Sequence, residues 1–561
     1  MVMMLKTMMR LTLLVFISSN LGCVFDDDAD AAIESGTDLF DINTVLTYEL
    51  NLNEADWSAL SYQGKSLAIL ALGCNTFAGY TQYRGRVQVD GARLYDVQIR
   101  KKGGLGSLSS VRPSLKLDMG SGKLNDGRTL RGHRYITLNN NHQSPGIIEQ
   151  CLSYHVFRQA GIKAPRCNFA RVSAQGNDKG VYTHVEDIKN PFLEREFGIA
   201  GGNLFEANEA DFTSVMVSRF EKKATNDSVD RSILQSVVDV LASTSTNLYA
   251  DLDQYIDMES FVTFAAVEAL IGHSDSYTGG QSNLYLYQNP SDNRLHFIPW
   301  GTDQTFKDRL GTGYPESVYL GNHLLDALWT DANFRQRYDT QMQTLLDDVW
   351  SETELKALAD QYASLVNAPA QFVAQIKSFI DQQRAKITAE LADDNRAWPK
   401  SVTNIIPVYD TPACQPLESI TGTFEGAVLG YQEFDFDAQF RFDYNVDSEP
   451  VTLRSDAGSF QTNLWAGRDE SLTEQHYVVG KVSFSQTLDD GDIRWITLVV
   501  PFDVFTPGEH PLHAFDTFGV YGTNNLGLQG FIGDGVVRLE RASLVSGSAL
   551  KGTLTGKLVP Q

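Results

Sequence analysis

The sequence predicts an α+β protein in which a two-lobed unit, strand-rich and then helix-rich, is followed by an all-β, sandwich-like domain. Three observations predict it. Through the first third of the chain apolar residues alternate with polar ones, the period of half-buried strands. From Met258 onward they return at helical spacing. Past a stretch holding Pro399, Pro407, Pro412 and Pro416 the helical period vanishes and only strand-like runs remain. A chain of 561 residues exceeds one core, and 42% hydrophobic content with 11% aromatics fills several. The formal charge of −24 argues against non-specific binding to nucleic acid or to anionic membranes.

At the N-terminus Lys6 and Arg10 flank and precede a short apolar run, "LTLLVFI", which cannot span a bilayer. "SSNLGC" then ends at Cys23, ahead of the acidic "DDDADAA". This order looks like a bacterial lipoprotein signal, with Asn20 standing where leucine is usual. It predicts a signal peptide over 1–22, lipidation at Cys23 and an acidic tether over 23–43. The expected place is exported, in the cell envelope, touching the membrane through a lipid anchor only. The other cysteines, 74, 151, 167 and 414, allow three pairings or buried free thiols, and the lack of a CxxC spacing argues against zinc.

Residues 44–395 form the predicted two-lobed unit. "TVLTYELNL" and "RGRVQVDGARLYDVQIRKKG" read as strands, with Val87, Val89, Val97 and Ile99 on one face; "SLKLDM" and "RYITLNN" continue the pattern. A helix is expected from Ser144, as cap, through Pro145 to Gly161. "FARVSA" and "GVYTHVED" are further strands. "MESFVTFAAVEALIG" is apolar nearly all round and therefore a buried helix, and amphipathic helices follow from Asn322 to Ala392. A linker is expected over 396–416. Within 417–561, "FDFDAQFRFDY" places Phe434, Phe436, Phe440, Phe442 and Tyr444 on one strand face, and "WITLVVPFDVF" and "GVVRLERASL" continue the β pattern.

The densest chemistry is "GHSDSYTGGQSNLYLYQNPSDNRLHFIPWGTDQTF". The buried helix delivers Asp275 just past its end. "NLYLY" and "RLHFIPW" form a hairpin that brings Asn283, at its start, towards Asp303, past its end. Two carboxylates and an amide oxygen are hard ligands, suited to Mg²⁺ or Mn²⁺ with phosphates completing the shell. Base Asp, then Asn ligand, then metal Asp is also the order of parts in protein kinases, although Asn283 follows Asp275 by eight residues rather than the usual ~five.

Over roughly residues 45–395 the chain resembles the spore-coat protein H (CotH) family of atypical, kinase-like proteins. The resemblance is carried by "RYITLNNN", "GIIEQCLSYHVFRQAGIKAPR", "GVYTHVEDIKNPFLEREFG", "GGNLF" and "SNLYLYQNPSDNRLHFIPWGTDQTF". It implies a two-lobed protein-kinase-like fold and transfer of the ATP γ-phosphate, with Mg²⁺ or Mn²⁺, to Ser/Thr of an extracytoplasmic protein. Asp275 matches the catalytic Asp, with Asn283 and Asp303 as metal ligands. The family commonly has an Asp directly after the Trp; here Gly301 stands there. Either Asp303 takes over, which is the expectation because glycine lets the backbone swing it inward, or the chain is a pseudokinase acting in envelope or coat assembly or adhesion.

In the upstream half, "RKKGGLGSLSSVRPSLKLD" sets Gly104 and Gly106 between strands, where backbone N–H groups suit phosphate. Lys116 corresponds to the kinase lysine that holds the phosphates, with Lys101 or Lys102 as alternatives. Glu149 is expected to pair with Lys116, and Glu186 to line the adenine or ribose pocket.

Overall fold

The computed structural model describes residues 38–560, except 65–78, 104–106, 108, 121–126, 208, 224–229, 309–314, 394–395, 397–417, 430–434, 447, 457–459, 469–477, 502–504, 513–516 and 544. The proposed signal peptide, Cys23, Gly104, Gly106, Cys74, Cys414 and nearly all of the proline-bearing linker lie outside the described residues.

Seven strands close into a barrel in the order β1-β2-β3-β4-β5-β7-β6. They are β1 (Val45–Asn51), β2 (Tyr83–Val89), β3 (Ala92–Lys101), β4 (Leu115–Asp118), β5 (Tyr135–Asn139), β6 (Cys167–Ala174) and β7 (Asn177–Glu186). Every pairing is antiparallel except β1 with β6, which closes the barrel in parallel. The predicted alternation is what fills it: Val87, Val89, Val97 and Ile99 lie inside with Leu46, Tyr48, Leu117 and Ile136. Asp90 and Gly91, both at positive φ, make the tight β2–β3 turn, as two-residue hairpins require. Helix α1 (Glu54–Tyr62), capped by the Asn53 side chain, packs on β3.

A second core joins the remaining helices to a four-stranded sheet ordered β11-β10-β8-β9. Its strands are β8 (Asn203–Ala207), β9 (Glu221–Lys222), β10 (Leu284–Asn289) and β11 (Arg294–Pro299). Helix α2 (Glu149–Gln159) belongs to this core although it lies between barrel strands in sequence; Phe157 packs on Phe264 with ring centroids 5.7 Å apart. It is shorter than predicted. Ile147 sits at φ +70, which no helix accommodates, so the chain from Ser144 turns before the helix starts. Cys151 on α2 is disulfide-bonded to Cys167 on β6.

After α3 (Asn190–Phe197), α4 (Ser232–Leu241) and α5 (Leu248–Leu252) comes α6 (Met258–Leu270), buried on nearly every side as its composition predicts and capped by Asp257. The single-turn α7 (Tyr277–Gly280) precedes β10. Helices α8 (His323–Trp329), α9 (Ala332–Asp348), α10 (Glu352–Val366) and α11 (Ala370–Leu391) follow the amphipathic runs. Caps at Asn322, Asp331 and Ser351, each accepting a backbone N–H, set where three of them begin. No helix among the described residues is long and apolar enough to cross a membrane.

From Ser419 the named elements are strands: β12 (Ser419–Ala427), β13 (Gln439–Val446), β14 (Glu449–Arg454), β15 (Phe460–Arg468), β16 (Val478–Thr487), β17 (Ile493–Pro501), β18 (Gly508–Pro511), β19 (Phe518–Thr523), β20 (Gly527–Arg541) and β21 (Ala549–Pro560). They form one antiparallel sheet ordered β14-β13-β12-β21-β20-β19-β17-β16-β15 with β18 beside β20. The expected sandwich of two sheets is replaced by one sheet that curls over its own core. Phe424, Phe440 and Phe442, on strands near one end of that order, meet Phe484 near the other at 4.8–5.3 Å between rings. Phe440, Phe442 and Tyr444 share the buried face as predicted, but the strand starts at Gln439, so Phe436 falls before it and is 67% exposed.

Candidate functional site

The site is built by the connection from α6 to β11. Gly272, at φ +67, turns the chain out of α6 where an added Cβ would come within 2.9 Å of the Lys307 carbonyl. His273 packs beneath, fully buried and held neutral, its pKa pushed down to about 3 by burial. Asp275 then lies between this turn and α7, which is anchored from below. Glu268 Oε2 accepts from the Thr278 N–H at 2.9 Å and its hydroxyl at 2.6 Å, while Asp211 accepts from the Tyr277 hydroxyl at 3.1 Å and the Gln281 amide at 2.7 Å. Both carboxylates are buried among donors, so the loop carrying Asp275 is fixed by hydrogen bonds rather than by its own propensity.

Asn283 enters β10 at φ +57, and its Nδ2 donates to the Asp275 carbonyl at 2.6 Å. The hairpin register pairs Leu284 with Pro299, and the Trp300 N–H donates to the Asn283 carbonyl at 3.1 Å. Asn283 therefore faces the chain that leads to Asp303. Gly301, at φ +55, has no room for a side chain: a Cβ there would collide with Asn283 Oδ1 and lie 2.7 Å from its Cγ. The turn after it is tied to α2, where the Thr302 hydroxyl donates to the Gln150 carbonyl at 3.3 Å and the Thr305 and Ser153 hydroxyls bond at 2.8 Å.

Burial, then the Asp303 carboxylate, raises the Asp275 pKa to about 7, against the Asn283 amide and Lys307. Burial raises Asp303 as well, opposed by Lys102 and Lys307. Lys102, past the end of β3, is pulled down to about 8 by burial and by Lys116, while Asp303, Asp187 and Glu206 act the other way. Its ammonium donates to Asn139 Oδ1 at 2.5 Å and lies 5.7 Å from the Trp300 ring centre. Two carboxylates and an amide oxygen are a hard-oxygen set that fits Mg²⁺ or Mn²⁺ when phosphate and water oxygens complete the shell. Among the described residues no group of three or more His, Cys, Asp and Glu side chains forms a ready-made metal centre.

The upstream residues divide differently from expectation. Lys116 bonds Asp187 at 2.8 Å, not Glu149. Glu149 instead accepts from the Ser144 hydroxyl at 2.5 Å and the Gly146 N–H at 2.9 Å, closing the turn that leads into its own helix. Glu186 does not open towards a nucleotide: buried, it is held by Arg166 and Arg195, whose guanidinium groups keep its pKa low against the cost of burial. The reason lies in strand phase. Lys116 pairs in register with Thr137, whose hydroxyl bonds Asp187, so these three share one face, whereas Glu186 pairs with Ile136 on the other. Lys101 likewise points away, to the Ser61 carbonyl at 2.7 Å, leaving Lys102 on the Asp303 side. Asp187, Glu206, Asn139 and Gln150 were not singled out by sequence reasoning; the tandem acids of "HVED" were the available signal for Asp187.

Residues 99–411, more than half of the chain, match the family described as CotH kinase protein. Inner spore coat protein H of Bacillus subtilis is 22% identical over 260 residues, spanning 43% of this chain and 70% of that protein. Invasin CotH2 of Rhizopus delemar is 24% identical over 255 residues, spanning 39% of this chain but only 43% of its own length. Among solved structures, the Helicobacter pylori proinflammatory kinase CtkA aligns at 10% identity over 52% of this chain and 92% of that one, with a TM-score of 0.28. HipA, in a Shewanella oneidensis complex, aligns at 12% identity over 61% and 73%, with a TM-score of 0.29. Scores that low bear on neither fold nor mechanism, and the assignment stands on the sequence match: the chain belongs to the CotH kinase family.

Proposed function

We propose that the protein is an exported phosphotransferase that moves the γ-phosphate of ATP to a Ser or Thr hydroxyl of an extracytoplasmic protein. The observation that carries the reading is the half-buried Asp275–Asn283–Asp303 group, in which the Asn283 amide bonds the Asp275 carbonyl and the Asp303 carboxylate raises the Asp275 pKa, with Lys102 and Lys116 on the barrel side. In this reading the barrel and the helical core are the two lobes of a kinase-like fold, and ATP lies between them. Asp275 accepts the hydrogen bond of the substrate hydroxyl, orients it and takes its proton. Asn283 and Asp303 hold Mg²⁺ or Mn²⁺, which when bound offsets charge on the phosphate oxygens. Lys102 supplies a cation to the phosphates. The turn after Gly301 serves in place of the Trp-Asp pattern, with Asp303 as its carboxylate. Lipidation at Cys23 keeps the enzyme in the envelope, in keeping with the surface and coat roles in the names of its relatives.

Purified protein with labelled ATP and Mn²⁺ or Mg²⁺, beside Asp275→Ala, tests this. Metal-dependent ATP binding and phosphate transfer by the wild type, with transfer lost in the variant, are expected. A wild type that neither transfers phosphate nor binds ATP with metal overturns the reading and leaves a non-catalytic surface protein of coat assembly or adhesion.

A further inference from the structure

We infer that Gln150 and Asn139 form a relay that positions Lys102 beside the Asp303 turn, doing with two neutral amides what an ion pair between Glu149 and Lys116 was expected to do. The inference rests on the phosphotransferase reading and adds two positioning residues to it. The chain of contacts is continuous. Lys102 Nζ donates to Asn139 Oδ1 at 2.5 Å, Asn139 Nδ2 donates to Gln150 Oε1 at 2.7 Å, and Gln150 Nε2 donates to the Tyr154 hydroxyl at 3.2 Å. Asn139, Gln150 and Tyr154 are all buried, at 8%, 0% and 0% exposure, so each bond forms away from competing water.

Helix phase explains why a glutamine and not the glutamate fills this place. Neighbouring residues on a helix point about 100° apart. Glu149 is turned back onto Ser144 and Gly146, and Gln150 therefore faces Asn139 at the end of β5. The same helix reaches the other half of the site, because the Gln150 carbonyl accepts from Thr302 and Ser153 bonds Thr305 on either side of Asp303. One rigid element, pinned to the barrel through Cys151–Cys167, thus sets both the lysine and the turn bearing the carboxylate.

The test uses the full chain and measures KM for ATP, kcat and melting temperature with Mn²⁺. Asn139→Leu removes the acceptor of Lys102 and is expected to raise KM for ATP about tenfold, the loss of one charge-assisted hydrogen bond, with a smaller fall in kcat. Asn139→Asp keeps an oxygen for the ammonium and is expected to retain a KM near the wild type. Gln150→Met, similar in volume and helix preference, is expected to raise KM in the same direction, and it decides the matter if Asn139→Leu does not fold. Wild-type KM in both Asn139→Leu and Gln150→Met, or equal damage in Asn139→Leu and Asn139→Asp, overturns the relay while the phosphotransferase reading survives. A wild type that binds no ATP overturns both.

Discussion

Asp275→Asn should make the protein inactive and more stable, and the gain in stability should depend on pH. Without ligand the carboxylate sits close to Asp303, and its pKa rises from 3.8 to about 7, chiefly through burial. For an acid the sign follows directly. The folded state holds the proton more tightly than the unfolded chain, so native stability falls as pH rises from about 4 to about 7 and is level above. A shift of about three units would correspond to ~4 kcal/mol in a dry site. Asp275 is only partly buried by surface, so solvent screening reduces this to ~2 kcal/mol. Asparagine keeps the shape and lacks the titration. Melting temperatures of the two proteins should therefore be close near pH 4.5 and separate by a few degrees at pH 8, with the variant higher. Adding Mn²⁺ and ATP should narrow the gap at pH 8, because charge at the site is then offset in the wild type. A difference that does not change with pH, or a variant less stable at pH 8, would refute the claim that Asp275 is ionised against its surroundings.

Two further outcomes follow from the same geometry. Gly301→Asp restores the aspartate of the commoner family pattern, yet should lower stability by roughly 1–3 kcal/mol and leave transfer no faster, since the new side chain displaces Asn283; a variant with an unchanged melting temperature and higher kcat would contradict this. Glu186→Gln should destabilise the fold by roughly 1–3 kcal/mol by removing the buried carboxylate shared by Arg166 and Arg195, which keep Asp38 and Glu196 as partners, while leaving KM for ATP unchanged, and a raised KM in a folded variant would return Glu186 to the nucleotide pocket. Because the Glu186 pKa is lowered, its contribution is present above the ordinary glutamate range and lost on acidification, so Glu186→Gln should cost least at low pH.

What could be read from the sequence, and what could not, divides along periodicity. The strand alternation at Val87, Val89, Val97 and Ile99, the all-round apolar α6 and the hairpin that turns Asn283 towards the Asp303 segment were legible because each repeats a period or a turn signal over many residues. Choices between adjacent residues were not. Lys101 against Lys102, Glu149 against Gln150 and Glu186 against Asp187 are each a one-residue decision, and one residue reverses the face of a strand or rotates a helix by about 100°. Register and helix start decide them, and both depend on distant contacts. Ile147 at positive φ delays α2, and the closure of β1 on β6 fixes the barrel's phase. Composition carries neither. The curled single sheet of the C-terminal strands was hidden for a related reason, since alternation shows that one face is buried but not what covers it.

The glycine at 301 looked like a missing ligand when the chain was read as a line, and the geometry gives it a different cause. Asn283 and Gly301 face each other across the mouth of the hairpin, both with left-handed backbones. The Asn283 amide fills the space a side chain at 301 would need. An aspartate at 301 and this placement of Asn283 exclude one another, so glycine is the residue that lets the amide turn in and donate to the Asp275 carbonyl. In the proposed reading the carboxylate comes from the next turn, which the Thr302 and Thr305 bonds to α2 hold in place. Because those bonds run through the helix that also carries Gln150, a change that moves α2 should disturb the lysine and the carboxylate together. Loss of metal affinity without loss of nucleotide affinity, on a substitution such as Ser153→Ala, would show the two halves to be set independently.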